Sequence, residues 1–318
     1  MDDLEQWPRR RLAGTPTPLE RHDRLAEEIG LTAGALWIKR DDLTRFAGGG
    51  NKARKLEFLL ADALEQGHDT VVTGGAVQSN HVRMTAAAAA ATGLRCVAVL
   101  GGQLSDPPEG NLVLDHLFGA EIVPTGGDYG DDVETAISRV AADRSAYPIP
   151  LGGSSPVGAL GYVVAADELR AEAPADALVV HAEGSGGTHA GLVAGFGDHD
   201  TVLAVDVGAV SGVAEKVDHL AAATAELAGR DAPVGTALVL PGHVGERYGA
   251  PTEGARAAIR TVARTTGLVL DPVYSGKAFA GLMAEVAAGR VDRPVVFVHT
   301  GGLPALFTRR FAGWIADG

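Results

Sequence analysis

The sequence from Thr70 to Thr92 is TVVTGGAVQSNHVRMTAAAAAAT, and it contains a strand, a glycine turn and a helix in direct succession. Thr70–Thr73 is a short run of β-branched residues, which is typical of a strand. Ser79–Thr92 has a helical pattern that stops at Gly93, with Ser79 or Asn80 at a capping position. A strand that enters a helix through a glycine turn is the repeating unit of α/β folds.

The same unit recurs along the chain. Further strands are predicted at Leu94–Leu100, Glu121–Val123, Ala177–His181, Val202–Val205 and Pro294–His299. An amphipathic pattern over Ala53–Gln66 predicts a helix that stops at Gly67. The strands are nearly all apolar, which is typical of parallel strands buried on both faces. We therefore expect an α/β protein with helices on both sides of parallel sheets, and loops at Gly126–Gly127 and Tyr147–Pro156.

Composition narrows the class of function. A chain of 318 residues is long enough for roughly two domains. It has 27 lysines and arginines against 40 acidic residues, a net charge of −13, which argues against nucleic acid or an anionic membrane as partner. The single cysteine, Cys96, excludes an internal disulfide, and its apolar strand favours an inert buried thiol. Because neither a signal-peptide pattern nor an apolar run of about 18 residues is present, we expect a soluble cytoplasmic protein.

Three glycine clusters carry the candidate chemistry, and the first is AGGGNK at positions 47–52. It opens the helix predicted over Ala53–Gln66, and Lys52, Arg54 and Lys55 place three positive charges in the first turn. The helix dipole already makes that end positive, so cations there are mildly destabilising. Either these side chains extend into water, or an anion lies nearby, or Lys52 is neutralised as a Schiff base.

The second cluster, TGGAVQSNH at positions 73–81, follows a predicted strand and enters the next helix. Capping explains one polar residue there. It does not explain four polar side chains in a row at the carboxyl end of a buried strand, where α/β proteins bind ligands. These four are Gln78, Ser79, Asn80 and His81, and we predict that they form part of a ligand site.

The third cluster, EGSGGTHAG at positions 183–191, follows the strand predicted at Ala177–His181. A glycine-rich turn at a helix start presents several backbone N–H groups to an anion such as phosphate. The spacing is not that of a dinucleotide-binding GxGxxG, because His189 stands at the last glycine position, and no Gly-Lys-Ser/Thr marks a P-loop. The pattern therefore favours a smaller phosphate ester over a nucleotide.

Together the three clusters match what pyridoxal 5′-phosphate requires: a lysine for the imine, polar side chains for the ring oxygen and the substrate carboxylate, and a phosphate cup. The chain resembles, almost end to end, the fold-type II pyridoxal-phosphate family of D-cysteine desulfhydrases and 1-aminocyclopropane-1-carboxylate deaminases. The segments that carry the resemblance are Pro16–Glu20, Ile38–Thr44, Gly49–Glu57, Gln78–Arg83, Leu160–Tyr162, Gly187–Gly191, Tyr248–Glu253, Asp271–Lys277 and His299–Ala305.

The resemblance implies roles for matching residues at the first two clusters. Lys52 resembles the Schiff-base lysine, which also takes the Cα proton of the substrate. Asn80 is similar to the residue that binds the cofactor's ring hydroxyl. Ser79, with Gln78 and His81 beside it, resembles the group that binds the substrate carboxylate.

Further roles follow for the rest of the site. The implied phosphate cup consists of Gly184, Ser185, Gly186, Gly187 and Thr188. Tyr248 and Tyr274 correspond to the active-site tyrosines, and Thr300 corresponds to the residue that faces the pyridine nitrogen. We expect no metal site, because His68, His116, His199 and His219 have no metal-ligand spacing.

Some positions depart from the family's patterns. The deaminases have an acidic residue where this chain has Ser275, a residue without a hydroxyl where it has Thr300, and Gln-Thr where it has His81-Val82. All three departures favour the desulfhydrase branch. Glu183, in place of a small polar residue, and Asp206, in place of a Val-Ser-Arg ending, differ from both branches and leave the substrate open.

By resemblance, the fold is tryptophan synthase β-subunit-like, with two three-layer α/β domains and the cofactor between them. The large domain would span 1–51 plus 159–318, and the small domain 52–158. The implied reaction is β-elimination on a small amino acid, in which D-cysteine gives pyruvate, hydrogen sulfide and ammonia. The resemblance also implies a homodimer. Ring opening of 1-aminocyclopropane-1-carboxylate and sulfite elimination from L-cysteate remain alternatives. A Rossmann-type oxidoreductase or a small-molecule binding protein remains the alternative outside the family.

Overall fold

The computed structural model describes residues 3–127 and 131–316. Its strands are β1 (Leu19–Arg21), β2 (Leu36–Lys39), β3 (Thr70–Ala76), β4 (Arg95–Gly101), β5 (Glu121–Pro124), β6 (Tyr147–Pro148), β7 (Leu178–Glu183), β8 (Val202–Asp206), β9 (Leu238–Leu240) and β10 (Val295–Val298). Its helices are α1 (Asp23–Glu28), α2 (Lys52–Glu65), α3 (Asn80–Thr92), α4 (Asn111–Leu117), α5 (Asp131–Arg144), α6 (Pro156–Glu172), α7 (Gly187–Phe196), α8 (Val213–Leu227), α9 (Glu253–Thr266), α10 (Ser275–Ala287) and α11 (Arg309–Ala316). Within these described ranges, no helix combines the length and apolar character needed to cross a membrane.

The strands form two separate sheets. The larger has the order β1-β2-β10-β7-β8-β9, and the smaller has the order β5-β4-β3-β6. Every pairing is parallel except that of β1 with β2. Because β10 pairs with both β2 and β7, the larger sheet joins segments from the two ends of the chain.

Each sheet is covered by helices on both faces. On the smaller sheet, α2 and α3 pack on one face through a core that includes Leu56 and Val82, and α5 packs on the other through Val133 and Ile137. On the larger sheet, α1, α9 and α10 cover one face, and α6, α7 and α8 cover the other. Gly191 permits the close packing of α7 on α6, because a Cβ there would lie 2.2 Å from the carbonyl oxygen of Ala159.

This architecture confirms the predicted α/β class: each of the two mainly parallel sheets is the middle layer between two layers of helices. The predicted strands correspond to β3, β4, β5, β7, β8 and β10, with ends within about three residues. The loop predicted over Tyr147–Pro156 is wrong at both ends, because Tyr147–Pro148 pair with β3 and α6 begins at Pro156. A two-residue edge strand that contains proline has no alternating pattern by which it could be recognised.

Candidate active site

A cleft lies where the carboxyl ends of β3 and β7 face the first turns of α2, α3 and α7. The cleft has a volume of about 720 Å³, which includes the solvent-filled space at its mouth. The predicted site residues that line it are Lys52, Ser79, Asn80, His81, Gly184, Ser185, Gly186, Thr188, Tyr248, Tyr274 and Thr300. The fold therefore brings all three glycine clusters to one place, although positions 52 and 300 are far apart in sequence.

Lys52 begins α2 directly after the glycine loop. Its Nζ donates to Oδ1 of Asn51 at 3.0 Å, and Nδ2 of Asn51 donates to Oγ1 of Thr188 at 3.0 Å. Burial lowers the pKa of Lys52 to about 8, and Arg83 acts in the same direction against the carboxylates of Glu183 and Asp271. A larger share of this amine is therefore neutral near pH 7 than for a lysine in water.

The other two cations of the first turn are buried, so the alternative that they extend into water is wrong. Arg54 is 0% exposed and pairs with Asp41 and Glu168. Lys55 is 1% exposed, and its Nζ donates to the carbonyl oxygen of Gly152 at 3.2 Å and to Oγ of Ser154 at 3.4 Å. Burial and the charge of Lys52 lower the pKa of Lys55 well below its usual value.

The predicted phosphate cup closes against Ser154 and Lys55. The N–H of Gly187 donates to Oγ of Ser154 at 3.1 Å, and the hydroxyls of Ser154 and Ser185 are 2.7 Å apart. A Cβ on Gly187 would lie 2.6 Å from Oγ of Ser154 and 2.7 Å from Nζ of Lys55. A side chain at position 187 would therefore displace Ser154 and the amine of Lys55 from the N-terminus of α7.

Glu183 lies directly before the cup and is buried with two histidines. Its Oε1 accepts from the N–H of Gly186 at 2.9 Å, and its Oε2 accepts from Nδ1 of His189 at 2.9 Å. Burial alone would raise the pKa of Glu183, but the hydrogen bond and charge of His189 hold it below its usual value. Burial lowers the pKa of the neighbouring His181 to about 4, so this imidazole is neutral at pH 7.

Asn80 is oriented by Asn111. Oδ1 of Asn80 accepts from Nδ2 of Asn111 at 2.9 Å, which leaves the amide N–H₂ of Asn80 as the group that can donate into the cleft. Gln78 uses both ends of its amide on the segment Glu109–Asn111, at 2.9 and 2.8 Å, and it borders an outer cavity next to the cleft. The role of Gln78 at the substrate stays a prediction.

Ser79 and His81 both line the cleft, and each also has an intramolecular partner. Oγ of Ser79 accepts from the N–H of Val82 at 3.3 Å, which confirms Ser79 as the N-cap of α3. Nε2 of His81 lies 2.9 Å from Oγ1 of Thr73. Burial and the charges of Lys52 and Lys55 lower the pKa of His81 well below its usual value.

The two tyrosines meet at the opposite wall, where their hydroxyls hydrogen-bond to each other. Asp271 positions Tyr274, because its carboxylate accepts from the N–H groups of Val273, Tyr274 and Ser275 at 2.7 to 2.9 Å. Ser275 occupies a place where an acidic side chain would add a second charge beside that carboxylate.

The Cys96 thiol lies outside the cleft, and burial raises its pKa to about 12, as expected for an inert thiol.

A cleft in which a half-buried lysine and a glycine-rich anion site line the same space in an α/β scaffold is typical of an enzyme that binds a phosphate-bearing cofactor covalently. Residues 10–301 match the family described as pyridoxal-phosphate dependent enzyme, and the chain belongs to this family. It is 44% identical to the D-cysteine desulfhydrase of Yersinia enterocolitica, with 96% of each chain covered. It is 42% identical to the D-cysteine desulfhydrase of Salmonella choleraesuis, with 96% of this chain and 97% of the relative covered.

Solved structures agree on the fold. A crystal structure described as an ACC deaminase homologue has a TM-score of 0.87 and 35% identity, covering 99% of this chain and 97% of its own. A threonine deaminase from Solanum lycopersicum has a TM-score of 0.71 at 18% identity, covering 99% and 86%, and shows similarity of fold alone. The predicted fold-type II architecture and the pyridoxal-phosphate dependence are thus confirmed.

The residues of the cleft fit this cofactor. Lys52 lines the cleft and offers an amine of lowered pKa to the aldehyde carbon of the cofactor. The cup at the start of α7, with Lys55 against it and a glycine where a Cβ would block the approach, suits a phosphate dianion. Sequence reasoning missed Asn51, Ser154, Asn111 and Asp271, whose roles depend on contacts between distant segments. The cluster of positive charge at Lys52, Arg54 and Lys55 was the one local signal in the sequence that pointed to buried partners.

The lowered pKa of Lys52 predicts how apoprotein takes up the cofactor. Only the neutral amine is nucleophilic, so the rate of uptake should rise about tenfold per pH unit below pH 8 and level off above it. Stopped-flow absorbance of apoprotein mixed with pyridoxal phosphate would measure this profile. A rate that keeps rising to pH 10 would contradict the buried environment of Lys52.

Proposed function

We propose that this protein is a lyase that converts D-cysteine and water to pyruvate, hydrogen sulfide and ammonia. The observation that carries this proposal is the identity of 44% and 42%, over 96% of the chain, to relatives named D-cysteine desulfhydrase. The neutral hydroxyls of Ser275 and Thr300 also favour a desulfhydrase, because the deaminases have an acidic residue at the first position and a residue without a hydroxyl at the second.

Lys52 would perform the central proton transfer. Between turnovers its Nζ would hold the cofactor, and during turnover the same atom would take the Cα proton of the substrate. Bound pyridoxal phosphate would supply the electron-withdrawing ring that stabilises negative charge at Cα. Asn51, which accepts from Nζ at 3.0 Å, would orient the amine for this transfer.

The start of α3 would bind the substrate and the cofactor's ring. Oγ of Ser79 and the backbone N–H groups of the first turn would bind the substrate carboxylate. The amide N–H₂ of Asn80 would donate to the ring oxygen, with His81 packed beside them. Gln78 would act on the site through the segment Glu109–Asn111, which it holds next to Asn80.

The opposite wall would serve the leaving group and the ring nitrogen. Tyr248 and Tyr274, whose hydroxyls are paired, would pass a proton to the departing sulfur. Thr300 would face the pyridine nitrogen with a neutral hydroxyl, which leaves that nitrogen unprotonated and makes the ring a weaker electron acceptor. A thiolate leaves readily and tolerates this, whereas opening a cyclopropane ring is harder. Gly184, Ser185, Gly186, Gly187 and Thr188, together with Lys55, would bind the phosphate.

Ring opening of 1-aminocyclopropane-1-carboxylate is the second candidate, because the structure with a TM-score of 0.87 is described as an ACC deaminase homologue. A substrate panel separates the two functions. We expect kcat/KM for D-cysteine, measured as pyruvate, to exceed that for the cyclopropane, measured as 2-oxobutyrate, by at least about tenfold, or 1.4 kcal/mol. L-cysteine and L-cysteate belong in the same panel. Faster release of 2-oxobutyrate, or of sulfite, would overturn the D-cysteine assignment.

Ser79 can be tested as a substrate ligand because it also caps α3. Loss of a hydrogen bond to a charged carboxylate costs about 1.5 to 3 kcal/mol, so Ser79→Ala should lower kcat/KM by roughly ten- to a hundredfold. Loss of a cap alone would cost about 0.5 to 2 kcal/mol of stability without a kinetic effect. Thr252→Ala, which removes the N-cap of α9, is the matched control and should affect only stability. Unchanged kcat/KM in Ser79→Ala would leave Ser79 as a cap.

The organisation implied by the resemblance is part of this proposal. The chain would divide into a small domain at 52–158 and a large domain at 1–51 plus 159–318, and it would work in the cytoplasm as a homodimer. Light scattering should then give twice the 32.5 kDa of one chain.

A further inference from the structure

Arg83 is a buried cation beside the cleft, and its hydrogen bonds go to neutral groups. It lies in the first turn of α3 and is 0% exposed. Arg54 is equally buried but pairs with two carboxylates, whereas among the described residues no carboxylate forms an ion pair with Arg83, and Asp115 acts on its charge from farther away. Because burying a charge costs free energy, the neutral acceptors around Arg83 are what offsets that cost.

One set of acceptors belongs to the glycine loop that leads into α2. Nη1 of Arg83 donates to the carbonyl oxygen of Ala47, and Nη2 lies 3.4 Å from the carbonyl oxygen of Gly49. Ala47 has a φ of 48°, which is uncommon for a residue with a Cβ, and the three glycines after it also have positive φ. Such backbone is costly to hold, so the guanidinium stabilises the strained loop directly before Lys52.

The other acceptors are two asparagine side chains. Nε of Arg83 donates to Oδ1 of Asn111 at 3.1 Å, and Nη2 lies 3.5 Å from Oδ1 of Asn80. Because a guanidinium can only donate, the oxygen of each amide must face it. The amide nitrogen of Asn111 then donates to the carbonyl oxygen of Gln78 at 2.8 Å and to Oδ1 of Asn80 at 2.9 Å. This chain of bonds leaves the amide nitrogen of Asn80 as the donor for the cleft.

We propose that Arg83 is a positioning residue for the cofactor, which holds the loop before Lys52 and sets the amide orientation of Asn80. The proposal rests on the roles proposed for Lys52 and Asn80. Without Arg83, the amides of Asn111 and Asn80 are free to rotate by half a turn. An oxygen of Asn80 would then face the ring oxygen of the cofactor, and two acceptors repel each other.

The charge of Arg83 provides a readout that a purely structural role would not change. The carboxylates of Glu183 and Asp271 favour the ammonium form of Lys52, whereas the charge of Arg83 disfavours it. Lys55 lies close enough for the charge of Lys52 to lower its pKa as well. Loss of the positive charge at position 83 should therefore raise the pKa of Lys52 and move the levelling of cofactor uptake to a higher pH.

Two substitutions separate the geometry from the charge. Arg83→Met removes the charge and every donor but fills much of the space of the stem, and Arg83→Lys keeps the charge but replaces a planar fork of donors with a compact ammonium. For each apoprotein, stopped-flow absorbance gives the pH profile of pyridoxal phosphate uptake, and equilibrium titration gives the Kd. We expect the Kd to rise at least about tenfold in both variants. The profile should level off roughly half to one pH unit higher in Arg83→Met and near pH 8 in Arg83→Lys.

The matched control is Arg95→Ala, which removes an exposed positive charge shortly after α3 and should change neither the Kd nor the profile. Circular dichroism reports whether each variant is folded, and Arg83→Lys keeps the test decisive if Arg83→Met does not fold. A wild-type Kd in folded Arg83→Lys, or a wild-type profile in folded Arg83→Met, would overturn the role of Arg83. A wild-type protein whose own uptake does not level off near pH 8 would instead refute the environment assigned to Lys52, and this proposal with it.

Discussion

Replacing Lys52 with alanine is expected to abolish turnover while the protein stays folded. Loss of a positioned general base alone costs about 10²- to 10⁴-fold, and loss of the covalent attachment of the cofactor adds to this. The absorbance of the imine should also disappear, because alanine has no amine with which the cofactor could form it. Steady-state kinetics with D-cysteine and an absorbance spectrum of the same sample measure both effects.

The neighbouring lysine and an exposed arginine provide controls for that experiment. Lys55→Ala should weaken cofactor binding, since Lys55 lies against the cup, but saturating cofactor should restore turnover. Arg95→Ala removes an arginine whose side chain is 75% exposed and should change neither kinetics nor spectrum. Lys52→Ala with full activity would show that the cleft has been assigned to the wrong lysine.

Arg54→Met is expected to cause the largest loss of stability. Two residues after Lys52, the guanidinium donates to Asp41 at 2.8 and 2.9 Å and to Glu168 at 2.8 and 2.9 Å, and thereby joins α2 to the β2–α2 segment and to α6. Burial alone would raise the pKa of Asp41, but Arg54 holds it below its usual value. Removing one partner of a buried ion pair leaves an uncompensated charge and costs about 3 to 5 kcal/mol.

For a chain of this size that loss corresponds to a fall in Tm of roughly 5 to 8 °C. Differential scanning calorimetry of the two proteins measures it. Methionine fills much of the space of the arginine stem, so the loss reports on charge more than on a cavity. The matched control is again Arg95→Ala, which breaks an exposed pair with Asp69 and should change stability by less than about 1 kcal/mol. Equal effects of the two variants would mean that the buried network contributes nothing beyond a surface pair.

The sequence predicts the parts of this fold whose signals are local. Buried strands such as β3 and β4 are rich in β-branched or apolar residues, and α3 has its cap at Ser79 and its stop at Gly93, where φ is 78°. The short strands β1, β6 and β9 are two or three residues long, and pairing with neighbours decides them. Local patterns therefore find most of the central strands and the edge strand β5, and they miss the edge strands β1, β6 and β9.

Burial of charge is the second feature that local patterns do not predict. Arg54 and Lys55 stand in an ordinary charged helical turn, yet both are buried, because Asp41, Glu168 and Ser154 come to them from distant segments. The cleft itself is different. Its lysine, its polar strand end and its glycine cup are each continuous in sequence, so the residue types alone indicate a phosphate-bearing cofactor.

The central claim is that Lys52 carries the cofactor in this cleft, and borohydride reduction followed by peptide mapping tests it most directly. Reduction fixes the cofactor to the nitrogen that holds it, and mass spectrometry of a digest identifies the lysine. We expect the pyridoxyl label on Lys52 alone, about one per chain, with loss of activity in proportion to labelling. A label on Lys55, which lies three residues away beside the cup, or an active protein that takes up no label, would contradict the account.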